Sequence, residues 1–215
     1  MPNKLFILFA FILFTISCDA QKPFIEGFLV YQISIKNPNN NTTVNGTYTI
    51  TVKGKKIREE LKLDNSYHSV LIFDDIKHTI YSLKEDGSKK YAIQLSLDDF
   101  RNSNKHFEDF ILSNTNKENK TIAGMSTLSK IVTYTDGNTA EISYTTQWQP
   151  TDKWMFERFP GIKYLPLSFT YKDAADVNMN FTATTIDLSP VESAAFTIPS
   201  EYKMISYAEY KQMNK

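Results

Sequence analysis

The sequence predicts a mainly β protein of the α+β class, an antiparallel sheet carrying one main helix. Three observations lead there. Apolar residues recur with a period of two over most of the chain between Gln21 and Met213. Turn sequences punctuate these runs, Glu85-Asp86-Gly87-Ser88 and Asp136-Gly137 most clearly. Only the stretch opening at Leu97-Asp98-Asp99 spaces its apolar residues as a convincing helix does.

The first strand is long. Ile25, Gly27, Leu29, Tyr31, Ile33 and Ile35 alternate with Glu26, Phe28, Val30, Gln32, Ser34 and Lys36, so Phe28 and Val30 make part of it apolar on both faces. Asn37-Pro38-Asn39-Asn40-Asn41 turns the chain, since asparagine tolerates left-handed conformations and proline fixes its own φ. Val44 to Lys53 is the next strand. After Gly54-Lys55, Lys56 to Leu63 follows, with Ile57, Leu61 and Leu63 facing one way and Glu59 among them. Tyr67 to Phe73, Thr79 to Leu83 and Lys90 to Leu97 continue the series. In the helix, Asp98 is placed to accept from first-turn amides, and Phe100, Phe107, Phe110 and Ile111 form the apolar stripe. Asn114 to Asn119 closes it.

Strands return at Thr121-Ile122-Ala123, at Thr127 to Thr135 and at Thr139 to Trp148. Gln149-Pro150-Thr151-Asp152 then opens an aromatic segment, Trp154-Met155-Phe156-Glu157-Arg158-Phe159-Pro160-Gly161. Leu165 to Lys172 and Asn178 to Leu188 complete the sheet, and Ser206 to Met213 reads as a short surface helix. The expectation is about ten strands and one main helix in a single domain, residues 24–215.

Before that domain, Lys4 precedes an apolar run from Leu5 to Phe14 and a small-residue exit at Cys18, the pattern of a secretory signal too short to span a membrane. Two processing routes are open. Cleavage before Cys18 removes residues 1–17 and leaves an acylated cysteine on a tether, residues 18–23. Cleavage after Ala20 gives a soluble periplasmic or secreted protein beginning at Gln21. Lipidation is the favoured expectation, and several acyl chains at ~0.8 kcal/mol per buried methylene make a stable anchor.

Lysine plus arginine and aspartate plus glutamate number 24 each, and losing residues 1–17 removes Lys4 alone, for a net charge of about −1. Such a balance argues against nucleic acid as a partner, and none is expected. Cys18 is the only cysteine, so no disulfide or thiolate metal site forms within the domain. His68, His78 and His106 lack metal-ligand spacing, although His68 and His78 are placed to meet across adjacent strands. Neighbouring acids on a strand point to opposite faces, so Glu59-Glu60 cannot serve as a glycosidase pair, and Asp98-Asp99 is a helix start. No nucleophile has an evident base. The expectation is no catalytic residue, no metal and no cofactor.

The order of four short motifs resembles the LolA/LolB-like lipoprotein-sorting superfamily, particularly relatives in the envelopes of Bacteroidota-type bacteria. These motifs are Gly54-Lys55-Lys56-Ile57-Arg58, then Thr121-Ile122-Ala123-Gly124, then Trp154 ahead of Leu165-Pro166-Leu167-Ser168-Phe169, and finally Phe196-Thr197-Ile198-Pro199-Ser200-Glu201-Tyr202. The resemblance implies a strongly curved antiparallel sheet, an open half-barrel with the main helix and short helices across its mouth, and an apolar concave side that accepts acyl chains. It also implies an arginine that holds the lid, for which Arg58 is the positional candidate.

On that frame, Leu29, Tyr31, Ile33, Leu61, Ile72, Ile93, Trp148 and Phe181 are expected to line the cup. Trp154, Phe156 and Phe159, with Arg58, are the candidate lid or rim, the alternatives being plain core packing for the aromatics and, for Arg58, a solvated face shared with Lys56 and Lys62. The functional expectation is a non-enzymatic outer-membrane lipoprotein facing the periplasm, held by its anchor, that binds an apolar ligand such as an acyl chain. The alternative is a module with a filled core that contacts an envelope protein partner.

Overall fold

The computed structural model describes residues 21–38, 42–172 and 177–213, so the signal and lipidation expectations at residues 1–17 and Cys18 lie outside the described residues. Sixteen strands and two α-helices follow one another along it. The strands are β1 (Lys22–Phe24), β2 (Glu26–Asn37), β3 (Thr42–Lys53), β4 (Lys56–Leu63), β5 (His68–Asp74), β6 (Thr79–Asp86), β7 (Lys89–Ser96), β8 (Phe110–Asn114), β9 (Thr121–Ile122), β10 (Met125–Ser126), β11 (Leu128–Tyr134), β12 (Thr139–Thr145), β13 (Trp148–Pro150), β14 (Leu165–Lys172), β15 (Asn178–Asp187) and β16 (Lys203–Ser206). The helices are α1 (Leu97–Asn104) and α2 (Tyr207–Met213). No helix among the described residues is long and apolar enough to cross a membrane.

Twelve strands form one sheet in the order β16-β7-β6-β5-β4-β3-β2-β15-β14-β12-β11-β8, which does not close into a barrel. The sheet is mixed rather than purely antiparallel, because β16 joins β7 in parallel. The strand count exceeds the sequence expectation by short elements that periodicity cannot register. Two of them, β1 and β13, pair in parallel outside the main sheet, and β9 and β10 form a two-residue hairpin around the positive-φ pair Ala123-Gly124.

Period two assigns the faces. One row runs Ile186–Leu29–Ile50–Glu59–Leu71–Ser82–Ile93–Ile205 across eight strands, and the next runs Ala183–Tyr31–Tyr48–Leu61–Ser69–Lys84. This core face carries the main hydrophobic cluster, including Leu29, Tyr31, Ile33, Ile50, Val52, Phe169 and Phe181. Gly46 sits in it opposite Ile33 and Leu63, where an added Cβ would lie 2.1 Å from the Lys62 carbonyl oxygen. Only glycine permits so close a backbone approach there.

The back face holds a smaller core. Val70, Ile72, Leu83 and Ala92 are covered by Tyr81 and by Phe196, Ile198 and Tyr202 from the chain between β15 and β16. That segment is a strap. The Glu26 carboxylate accepts from the Val191 amide at 3.0 Å, the Arg58 guanidinium donates to the Ala195 carbonyl at 3.4 Å, and the Tyr202 hydroxyl donates to Glu85 at 2.6 Å.

The helix is shorter than its apolar spacing suggests. Its N-cap is Ser96, not Asp98: the Ser96 hydroxyl accepts from the Asp99 amide at 3.0 Å and Asp99 reciprocates, a capping box. The chain leaves α1 at Asn104, makes a 3-10 turn at Lys105–Phe107, and enters β8, which pairs with β11. Phe110 and Ile111 therefore belong to a strand, because edge pairing there satisfies backbone groups along a whole ladder. His68 and His78 do not meet. The first opens β5, and the second sits past its far end at φ +51°.

Candidate functional site

The core face is filled by one irregular segment, residues 151–164, between β13 and β14. Within it Met155 and Phe159 are fully buried, and Trp154, Phe156 and Ile162 nearly so. Phe159 and Phe156 meet Phe169 edge-on at 5.4 and 6.4 Å, and Phe169 stacks on Phe181 at 4.4 Å. Tyr31 and Tyr48 extend the aromatic array to β2 and β3, with Tyr31 at 5.8 Å from Phe169 and Tyr48 at 5.5 Å from Phe181. From the other side Phe100 of α1 packs between Phe73 at 5.1 Å and Trp154 at 5.5 Å. Such edge-to-face contacts add about 0.5–1.5 kcal/mol each to area burial. A void of about 20 Å³, lined by Ile57, Phe73, Ile80, Leu97 and Trp154 among others, marks one margin of this packing.

The plug carries its own scaffold. Met155 donates to the Asp152 carbonyl, Phe159 to that of Phe156, Gly161 to that of Lys153 and Ile162 to that of Phe159, all within the segment. The Asp152 carboxylate accepts from the Trp154 amide at 2.7 Å. Hydrogen bonds from the plug to its surroundings include the Tyr134 hydroxyl donating to the Arg158 carbonyl at 2.8 Å and Thr151 donating to the Phe24 carbonyl at 3.3 Å.

Glu59 lies beneath the plug, 4% exposed in the middle of the core-face row. Tyr48 donates to its carboxyl, yet Oε1 has no hydrogen-bond partner. Burial, reinforced by the Glu157 carboxylate, pushes the Glu59 carboxyl well above the usual range, against the pull of Tyr48 and Arg158. Arg158 pairs with Glu157 at 3.2 Å and lies over the rings of Tyr171 at 4.7 Å and Phe181 at 5.6 Å. Its Nε is also buried without a partner. Two orphaned polar atoms thus sit where the plug meets the sheet, each costing about 1–3 kcal/mol.

Beside the plug, α1 and the turn after it form an open cleft of about 530 Å³, lined by Asp98, Arg101, Asn102, Lys105, Glu108 and Lys153. Arg101 and Lys153 both lie over the Trp154 indole, at 5.8 and 4.9 Å.

The structure brings Leu29, Tyr31, Ile33 and Phe181 together on the core face, with Leu61 half-buried beside them and Ile93 buried further along the Glu59 row. Ile72 lies on the back face instead. β5 is apolar on both sides through Val70-Leu71-Ile72-Phe73, and its register puts Leu71 and Phe73 on the core face. Trp148 sits in β13 outside the main sheet, edge-on to Phe24 at 6.1 Å. Trp154, Phe156 and Phe159 are buried in the plug rather than exposed on a rim. Arg58 points away from the plug: lying between Ile57 and Glu59, it faces the back, bridges Glu60 at 3.4 Å and ties down the strap. Glu157 and Arg158 were not singled out by sequence, whereas Glu59 was visible as an acid in an apolar series.

No family model matches the chain, and no curated protein matches it. Solved structures do. MucB, also known in a Pseudomonas aeruginosa MucA/MucB complex, is 12% identical with a TM-score of 0.42, covering 85% of this chain and 61% of its own. PNGF-II is 13% identical with a TM-score of 0.46, covering 87% of this chain and 33% of its own. The chain therefore spans less than two thirds of either. A putative outer membrane lipoprotein-sorting protein domain from Vibrio parahaemolyticus is 6% identical with a TM-score of 0.33, covering 83% of this chain and 92% of its own. The chain is thus similar to solved structures that include a lipoprotein-sorting domain.

Proposed function

We propose that this protein is a non-catalytic binding protein of the cell envelope, lipid-anchored through Cys18 at the outer membrane. Its sheet, curved as an open half-barrel, takes up an apolar chain of a lipid or lipoprotein when the plug, residues 151–164, is displaced. The observation that carries the reading is the self-contained plug. A segment whose recurring backbone bonds are internal can leave as a unit at the loss of few bonds to its surroundings, that from the Tyr134 hydroxyl to the Arg158 carbonyl among them, and its departure frees Glu59 Oε1 and Arg158 Nε to find partners.

The energies are comparable. Five buried plug side chains at about 1.5–3 kcal/mol each represent roughly 8–15 kcal/mol, and an acyl chain of about ten to fourteen methylenes at ~0.8 kcal/mol each returns about 8–11. Close backbone approaches at Gly46 and at Gly27 (φ +137°, an added Cβ 2.2 Å from the Asp187 carbonyl oxygen) support strong bending of the sheet.

The test uses the mature chain carrying Cys18→Ser, with Trp148→Phe so that Trp154 is the sole reporter. On titration with 1-lauroylglycerol, Trp154 emission shifts to the red and becomes quenchable, and native mass spectrometry shows a removable adduct of lipid mass. An unchanged, shielded Trp154 and no adduct would sink the carrier reading. The second reading then stands, a filled-core module contacting an envelope protein, and the aromatic packing of the plug favours it.

A further inference from the structure

We propose that the cleft between α1 and the plug binds the phosphate of an amphiphile whose chain occupies the sheet. This rests on the carrier reading and names the class of its ligand. Arg101 and Lys105 are four residues apart and line the cleft together, and Lys153 reaches it from the plug. None of the three is ion-paired among the described residues, although Asp98 and Glu108 line the same cleft. Arg101 Nε is buried with no hydrogen-bond partner.

Arg101 and Lys153 share one indole, and an anion between them offsets the repulsion between the two cations. Three cations against two carboxylates leave a formal +1, the complement of a single phosphodiester. Arginine's fork suits phosphate oxygens, and the lysines act as point charges beside it. Because Lys153 belongs to the plug and Trp154 to its buried edge, a headgroup held here lies where displacement of the plug admits the attached chain. The site is partly exposed, so its contribution falls as salt rises.

The experiment compares 1-lauroyl lysophosphatidylglycerol, 1-lauroylglycerol and inorganic phosphate by titration calorimetry on the Cys18→Ser mature chain. The lysophospholipid is expected to bind at least tenfold more tightly than the neutral lipid. The exposed pair Lys105→Gln/Lys153→Gln, chosen to spare the fold, erases that preference, read as the ratio of the two lipid affinities within the variant because Lys153 also packs on Trp154 of the plug. Arg101→Gln does the same where it folds. Equal affinity for the two lipids, or a preference surviving in the Lys105→Gln/Lys153→Gln protein, overturns the phosphate site and leaves the carrier reading standing. Inorganic phosphate binding as tightly as the lysophospholipid overturns the headgroup assignment in favour of a free anion. Binding of neither lipid overturns both readings together.

Discussion

Glu59→Gln is the perturbation whose size the structure fixes best. The wild-type carboxyl is buried with one oxygen unpaired, and burial followed by the Glu157 charge raises it well above its ordinary 4.5. The folded protein therefore keeps a proton that the unfolded chain releases. Its stabilising effect is fully present below about 4.5 and fades as pH rises through the folded value, at up to about 1.4 kcal/mol per pH unit. Glutamine does not ionise, so the variant lacks this decline. Urea unfolding of the Cys18→Ser mature chain, followed from pH 4 to pH 8, measures it. With a slope near 2 kcal/mol/M, the two midpoints should diverge by roughly 0.7 M per pH unit, the variant gaining as pH rises. Parallel midpoints across the series, or a variant less stable than wild type at pH 8, would show that Glu59 is not a buried acid forced to hold its proton.

Three further expectations follow from packing. Phe159→Ala empties the centre of the plug and should cost about 3–5 kcal/mol in the same unfolding assay, and a cost below 1 would mean the plug is not packed there. Gly46→Ala drives a methyl to 2.1 Å from a backbone oxygen that cannot rotate away, so a loss of about 3 kcal/mol or more should appear as a lower Tm, while an unchanged Tm refutes the close approach. Tyr202→Phe removes the donor to Glu85 at the strap and should cost about 0.5–1.5 kcal/mol, with faster amide exchange in β16 than elsewhere in the sheet.

The strands β4 and β14 are legible to the residue, because their apolar positions alternate cleanly and turns or loops bound them. Periodicity failed where two periods coincide. Phe107, Phe110 and Ile111 satisfy helical spacing, and nothing local announces that Phe110–Asn114 will pair with a strand fourteen or more residues downstream. The short parallel partners β1 and β16 owe their existence to distant neighbours, so their own composition says little. At the site, the aromatic segment was visible as a cluster, but its burial was not, since a loop rich in Trp and Phe reads equally as rim or as core. Ile72 was misplaced because four consecutive apolar residues in β5 leave parity to the register. Arg58 alternates with Ile57 and Glu59 and shares its face with Lys56 and Lys62, so its own parity already favours the solvated side over the lid position that the resemblance implies.

The order of strands also dictates when the sheet becomes whole. β2 through β7 is a run of neighbouring hairpins that can form as soon as those residues exist, and β8, β11, β12, β14 and β15 make a second ribbon of more local pairings. Within the main sheet the two halves join through β2 and β15, whose partners such as Ile33 and Phe181 are separated by most of the domain and whose register slips at Ala183/Thr185. Closing so long a loop is the slow step in a topology of this kind. Until it closes, β2 presents a twelve-residue edge of unpaired amides and carbonyls to the surroundings. The nascent half-sheet is thus the form of this protein most exposed to mispairing, and a chaperone that shields β2 would act at the seam rather than at the plug.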